Sequence, residues 1–289
     1  MRDVRKSVQI KKIIKGALKE DIGKGDITTR AIVKPEVRGY VEAMAKDEFL
    51  VAGIDVFGEV FRIQDRCIKV KGLMKDGRKV RKGDIIACVE GPLHSILQAE
   101  RVALNLFQRM CGIATQTNRY VRAVRGTKAR ILDTRKTMLG LRLLDKMAVK
   151  IGGGVNHRMG LYDAVLIKDN HIAAAGGITE AVRAQKKALR KKTKIEVETK
   201  NLEEVKEALK SGVDVVMLDN MPVFEMKKAV KMVAGKVLLE ASGNVSLKNV
   251  SAIAKTGVDF ISVGEITHSV RAADISLKIR NREEKNKRN

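Results

Sequence analysis

The stretch Asp163-Ala164-Val165-Leu166-Ile167-Lys168-Asp169-Asn170-His171 is a short apolar run that ends abruptly in charged and polar groups. Its length and β-branched content predict a buried strand, and its ending predicts an exposed strand end. The pattern recurs on both sides. Upstream, Arg130-Ile131-Leu132-Asp133 leads through Thr134-Arg135-Lys136-Thr137 into a helical stretch from Leu143 to Lys150. Downstream, Lys194-Ile195-Glu196-Val197-Glu198 precedes Leu202 to Lys210, and Val213 to Asp219 precedes Pro222 to Val233. Lys236 to Ala241 then precedes Ser246 to Lys255, Val258 to Val263 precedes a short turn, and Ile275 to Ile279 closes the series as a last strand. Strand-like units start about 20–30 residues apart with helical patterns between them, which predicts parallel β/α units.

Two architectures carry such units. A doubly wound sheet with a dinucleotide site calls for GxGxxG in a strand-to-helix turn, and Gly152-Gly153-Gly154 does not supply it. A β/α barrel gathers its site from the C-terminal ends of many strands, and here polar residues recur at strand end after strand end. The barrel is therefore the expected fold of the C-terminal part.

Before residue 115 the character differs. A basic amphipathic stretch, Met1 to Lys19, reads as a surface helix with Ile10, Ile13, Ile14, Ala17 and Leu18 inward, not as a secretory leader. A loop at Asp21 to Asp26 follows. Short strands are expected around 37–46 and 49–53, then a helix marked by Ile54, Phe57, Val60 and Phe61. Turn signals at Lys75-Asp76-Gly77 and Gly83-Asp84 bracket further short strands, which predicts a compact α+β module. A long helix runs from Leu93 to Val124, with Gly112 as its weak point. The expected division is 1–114, 115–279 and a charged tail at 280–289.

Composition narrows the class. No apolar run approaches the ~20 residues of a membrane span. Cys67, Cys88 and Cys111 form no CxxC pair, so they read as reduced core thiols in a cytoplasmic protein. Net charge is +24, from 58 Lys and Arg against 34 Asp and Glu, which points to an acidic partner. Part of that excess is solvated surface: Lys186, Lys187, Arg190, Lys191, Lys192 and the tail Arg280 to Asn289. Specific nucleic-acid binding is not expected, because stacking aromatics are scarce, with 6 Phe, 3 Tyr and no Trp.

The strand ends carry the chemistry. Arg135, Lys136, His157, Arg158 and Lys168 supply cations for several negative charges, Arg through a bidentate fork and Lys as a point charge. Glu198 and Asp219 at the same rim oppose a simple anion pocket and make sense if Mg²⁺ joins them to substrate phosphates. Glycines beside Ser242 and at Gly264 let backbone N–H groups approach a phosphate. Each residue taken alone has a plainer reading. His171 serves equally well as a helix-start or core histidine, Asp133 as a brace for Arg135, and Glu196 competes with Glu198 on the same strand face.

The segments 133–137, 152–161 and 166–171, with Glu100 to Asn105, Glu196 to Glu198, Leu218 to Asn220, Glu240 to Asn244 and Ser262 to Gly264, closely resemble the quinolinate phosphoribosyltransferase family. The likeness runs in order from about Asp21 to the last strand. It implies an N-terminal α/β sandwich domain plus an incomplete α/β barrel of about seven strands. It implies transfer of phosphoribose from phosphoribosyl pyrophosphate to quinolinate in NAD biosynthesis, with Mg²⁺, in the cytoplasm, by a homodimer or higher oligomer. By motif match, Arg101 reaches the neighbouring subunit's site and joins Arg135, His157, Arg158 and Lys168 on the quinolinate carboxylates, with Thr134 beside them. Lys136 and Lys168 face the pyrophosphate end, and Glu198 and Asp219 serve the ribose hydroxyls and the metal. Ser242, Gly243, Asn244, Val263, Gly264 and Glu265 hold the 5′-phosphate. Lys136, Lys168, Glu198 and Asp219 form the implied catalytic set. The alternatives are a related enzyme acting on nicotinate and a homologue associated with molybdate transport.

Overall fold

The structure is a computed structural model and describes residues 4–189 and 193–280. The surface cations Arg190, Lys191 and Lys192 and the tail beyond Arg280 lie outside the described residues. In chain order the elements are α1 (Val8–Ile22), α2 (Ile27–Ile32), β1 (Arg38–Ala45), β2 (Phe49–Leu50), α3 (Ile54–Gln64), β3 (Lys69–Gly72), β4 (Lys79–Val80), β5 (Ile85–Pro92) and α4 (Leu93–Ala123). They continue as β6 (Arg130–Leu132), α5 (Arg142–Ile151), β7 (Val165–Ile167), α6 (Asp169–Ala175), α7 (Ile178–Ala188), β8 (Ile195–Thr199), α8 (Leu202–Lys210), β9 (Val215–Asp219), α9 (Val223–Val233), β10 (Leu238–Ser242), α10 (Val250–Ala254), β11 (Phe260–Ser262), α11 (Glu265–His268) and β12 (Ile275–Arg280).

The chain forms two compact units, one of residues up to 116, 138–152 and from 270 onward, the other of 117–137 and 153–269. The first unit contains an antiparallel sheet in the order β12-β1-β5-β3. Of the five residues expected on the inward face of α1, Ile10, Ile14 and Leu18 are buried, while Ile13 and Ala17 are half-buried. Phe57 packs against Phe61 and Phe107, whose ring centroids lie 5.1 Å away in each case. Asp145, fully buried on α5, receives both Nε and Nη2 of Arg109 at 2.8 Å, so α5 is tied to α4 within this unit by a bidentate pair.

Four expectations are revised here. Ile275–Arg280 is a strand, but it pairs antiparallel with β1, Tyr40 opposite Arg280, and does not join the parallel series. The helix α4 runs unbroken through Gly112. A Cβ at Gly112 would strike the Arg271 carbonyl, so the glycine is there for a close backbone approach. The strand expected over 49–53 is limited to Phe49–Leu50. Cys67 is exposed and Cys88 half-buried, leaving only Cys111 in the core.

In the second unit, six strands pair in the order β6-β11-β10-β9-β8-β7, all parallel. From β7 to β11 consecutive strands are neighbours, and the first strand of the unit, β6, lies beside the last, β11. That cyclic order belongs to a β/α barrel and not to a doubly wound sheet, whose order reverses at a switch point. The circle stays open between β6 and β7. The free side of β6 makes a single parallel bridge, Leu132 to Val155, where the expected seventh strand would stand. Parallel strands buried on both faces are ordinarily apolar throughout. β8 breaks that rule: Ile195 and Val197 alternate with Glu196 and Glu198, and all four are buried. Acids on the inner face of a barrel strand mark where the function is. Among the described residues no helix is long and apolar enough to cross a membrane.

Candidate active site

A cavity of about 880 Å³ opens at the C-terminal ends of the parallel strands. Its wall includes Thr134, Arg135, Lys136, His157, Arg158, Lys168, Glu198, Asp219, Ser242, Gly243, Asn244, Gly264 and Glu265. Two expected residues stand apart. Val263 is fully buried and does not line the cavity, and Arg101 is exposed on α4 and does not line it either. Sequence reasoning gave no role to Asn220, Glu240, Ser262 and His268, which also form the wall. Glu240 left a readable signal, an acid in the middle of a buried strand. His268 left only its position one helical turn beyond Gly264.

Each strand end holds its side chains by local hydrogen bonds. After β6, Thr134 Oγ1 accepts the Lys136 backbone N–H at 3.0 Å, and the Lys136 carbonyl accepts Thr267 Oγ1 at 2.8 Å. After β7, the chain turns directly into α6, a helix the sequence pattern did not separate from the loop. His171 Nδ1 accepts the Lys168 backbone N–H at 2.9 Å, so His171 is a helix-start residue. Lys168 Nζ reaches across to Glu198 Oε2 on β8 at 2.5 Å.

After β9 and β10 the turn is a chain of amides. Asn220 Nδ2 donates to Asp219 Oδ2 at 2.8 Å, Asn244 Nδ2 to Asn220 Oδ1 at 2.9 Å, and Asn249 Nδ2 to the Asn244 carbonyl at 2.9 Å. Asn220 and Asn244 take φ of 54° and 52°, a left-handed conformation that Asn tolerates better than most residues. Gly243 has φ of 90°, and a Cβ there would run into the Asn220 amide, so glycine is required twice over. After β11, Glu265 Oε2 accepts the hydroxyl of buried Tyr120 at 2.7 Å, which turns the carboxylate away from a free swing.

The cations sit close together. Arg158 is only 9% exposed, and its Nη1 donates to the Ala164 carbonyl at 3.1 Å. Burial, then the positive charge of Arg135, lowers its affinity for its proton, while Glu196 acts in the opposite direction. Two guanidiniums that repel one another gain from a ligand that carries negative charge.

Beneath them lies a second layer. His157 Nε2 is 3.1 Å from Glu196 Oε2 and 3.5 Å from Glu240 Oε2. These three donors lie within 4.8 Å of one another, as a metal site's ligands do. Nδ1 of His157, however, accepts the Arg158 backbone N–H at 2.7 Å. An accepting Nδ1 leaves the ring proton on Nε2, which then donates to the glutamates and has no lone pair for a metal. Burial, then the charge of Glu196, pushes the Glu240 carboxyl well above the ordinary carboxylate range. Glu198 and Asp219 are different. They stand at or next to the C-terminal ends of neighbouring strands, line the cavity and offer only oxygen, the kind of donor that hard cations take.

Comparison with known proteins assigns the chain to a family. Residues 26–111 match the family model of the quinolinate phosphoribosyl transferase N-terminal domain and 113–278 that of the C-terminal domain. The chain is 43% identical over 272 residues to the probable nicotinate-nucleotide pyrophosphorylase (carboxylating) of Bacillus subtilis, covering 94% of each. It is 47% identical to the chloroplastic nicotinate-nucleotide pyrophosphorylase (carboxylating) of Arabidopsis thaliana, covering 93% of this chain and 82% of that one. The crystal structure of nicotinate-nucleotide pyrophosphorylase from Ehrlichia chaffeensis superposes with a TM-score of 0.91 at 44% identity, over 97% of this chain and 100% of that chain. With both of its domains matched in order, the chain belongs to the quinolinate phosphoribosyl transferase family.

Proposed function

We propose that this protein is a carboxylating nicotinate-nucleotide pyrophosphorylase. It joins quinolinate to phosphoribosyl pyrophosphate and yields nicotinate mononucleotide, CO₂ and pyrophosphate for NAD biosynthesis. The observation that carries this reading is one cavity shared by Arg135, Lys136, Arg158 and Lys168 with Glu198 and Asp219, in a chain of this family. Quinolinate brings two carboxylates and the sugar donor brings a diphosphate and a 5′-phosphate, which match a cation-rich wall.

The chemistry needs no protein nucleophile. As the bond from ribose C1 to the diphosphate oxygen breaks, its electron pair leaves with pyrophosphate, and C1 becomes electron-poor. Glu198 and Asp219 at the ribose stabilise that charge and orient the hydroxyls. Lys136 and Lys168 face the departing diphosphate. The pyridine nitrogen lone pair then bonds to C1. With the nitrogen quaternised, the bond from C2 to its carboxylate breaks, CO₂ leaves, and the electron pair stays at C2 until water supplies a proton. Arg135, Arg158 and Lys168 hold the carboxylates and fix the angle of attack, whereas His157, expected beside them, has both ring nitrogens engaged within the protein. Ser242, Gly243, Asn244, Gly264 and Glu265 border the 5′-phosphate, with Val263 supporting them from the core. Mg²⁺ would be held by Glu198 and Asp219, where it supplies charge neutralisation for the diphosphate.

We place the protein in the cytoplasm as a homodimer or larger homo-oligomer, in which Arg101 serves the partner's site. Incubation with phosphoribosyl pyrophosphate, Mg²⁺ and either quinolinate or nicotinate tests the reading. Nicotinate mononucleotide and CO₂ from quinolinate are expected, and turnover of nicotinate alone would overturn the substrate assignment.

A further inference from the structure

We infer that Glu196 and Glu240 are positioning residues for the reaction, acting through His157 to aim Arg158 at the acidic substrate. The inference rests on reading the cavity as a dicarboxylate site.

Three observations converge on it. First, the two glutamates are 7% and 2% exposed, within parallel strands, where buried side chains are ordinarily apolar. Buried acids are costly unless paired, so their presence under the cavity demands a compensating role. Second, His157 is engaged on both edges of its ring. Nε2 faces Glu196 at 3.1 Å and Glu240 at 3.5 Å, and Nδ1 accepts the backbone N–H of the next residue, Arg158, at 2.7 Å. The ring thus ties the glutamates to the backbone that carries the Arg158 guanidinium. Third, that backbone is clamped on its other side. The His157 N–H donates to Asp133 Oδ1 at 2.8 Å, and Val155 exchanges backbone bonds with Ile131 and Asp133 at 2.8 and 3.2 Å. With the main chain fixed, the ring and its two acids set where Arg158 points. Glu196 also offsets the repulsion between Arg158 and Arg135 before substrate arrives.

The reading separates two Michaelis constants. In Glu196→Leu the quinolinate KM should rise about tenfold or more while the KM for phosphoribosyl pyrophosphate stays within about twofold, a split that general loosening of the fold does not produce. Glu240→Leu should behave likewise. Glu240→Gln, which keeps shape and a hydrogen-bonding amide, should restore most of the lost affinity. Leu variants that melt like wild type and keep the wild-type quinolinate KM would overturn the proposal, as would an equal rise in both constants. Should the Leu variants fail to fold, nitrogen-15 NMR of the wild type decides it without substrate. The chain has only 4 histidines, so His157 is assigned by the signal lost in His157→Gln. A proton on Nε2 and none on Nδ1 is expected, and a protonated Nδ1 would end the argument. Failure of the wild type to turn over quinolinate would sink the functional reading instead, leaving the NMR result to judge the brace.

Discussion

Lys168 Nζ lies 2.5 Å from Glu198 Oε2, joining the end of one barrel strand to its neighbour inside the cavity. The lysine side chain is 45% exposed and the glutamate 9%. The pair therefore holds a cation at the mouth on an anion at the wall. Lys168 can turn from Glu198 to an incoming phosphate or carboxylate at little cost, because its stem is mobile.

Lys168→Ala should lower kcat/KM by about 10²–10³, the scale of removing a preorganised donor to developing charge. The melting temperature should fall, because the lysine end of the pair is half-exposed but the buried Glu198 carboxylate loses its cation. Steady-state kinetics beside a thermal melt check both halves. Near-normal turnover would remove Lys168 from the chemistry.

Arg135→Ala should raise the quinolinate KM and remove about 2–4 kcal/mol of transition-state stabilisation from kcat/KM. Arg135 crowds Arg158, so its loss also relieves a repulsion in the empty site. The variant should for that reason be as stable as wild type. Unchanged kinetics would place Arg135 outside the site.

The barrel and most of its wall were legible because both are local patterns. A short apolar run that ends in Lys168-Asp169-Asn170 carries its own signature, and parallel strands send all such ends to one rim. What escaped was non-local. The pairing of Tyr40 with Arg280 joins residues from opposite ends of the chain, and no window of sequence contains it. Gly112 looked like a helix breaker because its reason, the Arg271 carbonyl, lies far along the chain. Glu240 was readable as an odd acid in a strand, but its partners His157 and Glu196 come from other segments.

Gly112→Ala should destabilise the protein, against the usual sign. In a free helix this change stabilises by about 1 kcal/mol. Here the new Cβ would meet the Arg271 carbonyl and the Ala272 Cα, which are backbone and cannot rotate aside. Overpacking of this kind costs about 1–3 kcal/mol. Chemical denaturation should show a lower midpoint, and a higher one would show that the 271–272 segment yields freely.

Arg101→Ala should be inactive although Arg101 does not line the cavity of its own chain. If it serves a partner's site, mixing this variant with Lys168→Ala should restore activity after subunit exchange, because some sites then receive Arg101 from one chain and Lys168 from the other. Isotope-labelled mass spectrometry confirms the exchange. Confirmed mixed oligomers without activity would contradict shared sites.

Glu240 predicts how stability depends on pH. Burial, then the charge of Glu196, raises its folded-state affinity for a proton well above that of an ordinary carboxyl. The folded state therefore holds this proton at a pH where the unfolded chain, with a glutamate pKa of about 4.3, has lost it. Its contribution to stability is fully present below the unfolded pKa and is lost as pH rises through the folded one. Glu240→Gln cannot ionise and keeps the neutral shape. Its melting temperature should match wild type in acid and exceed it progressively as pH rises above the carboxylate range. A difference that stays constant with pH, or grows toward acid, would show that Glu240 is ionised in the folded protein.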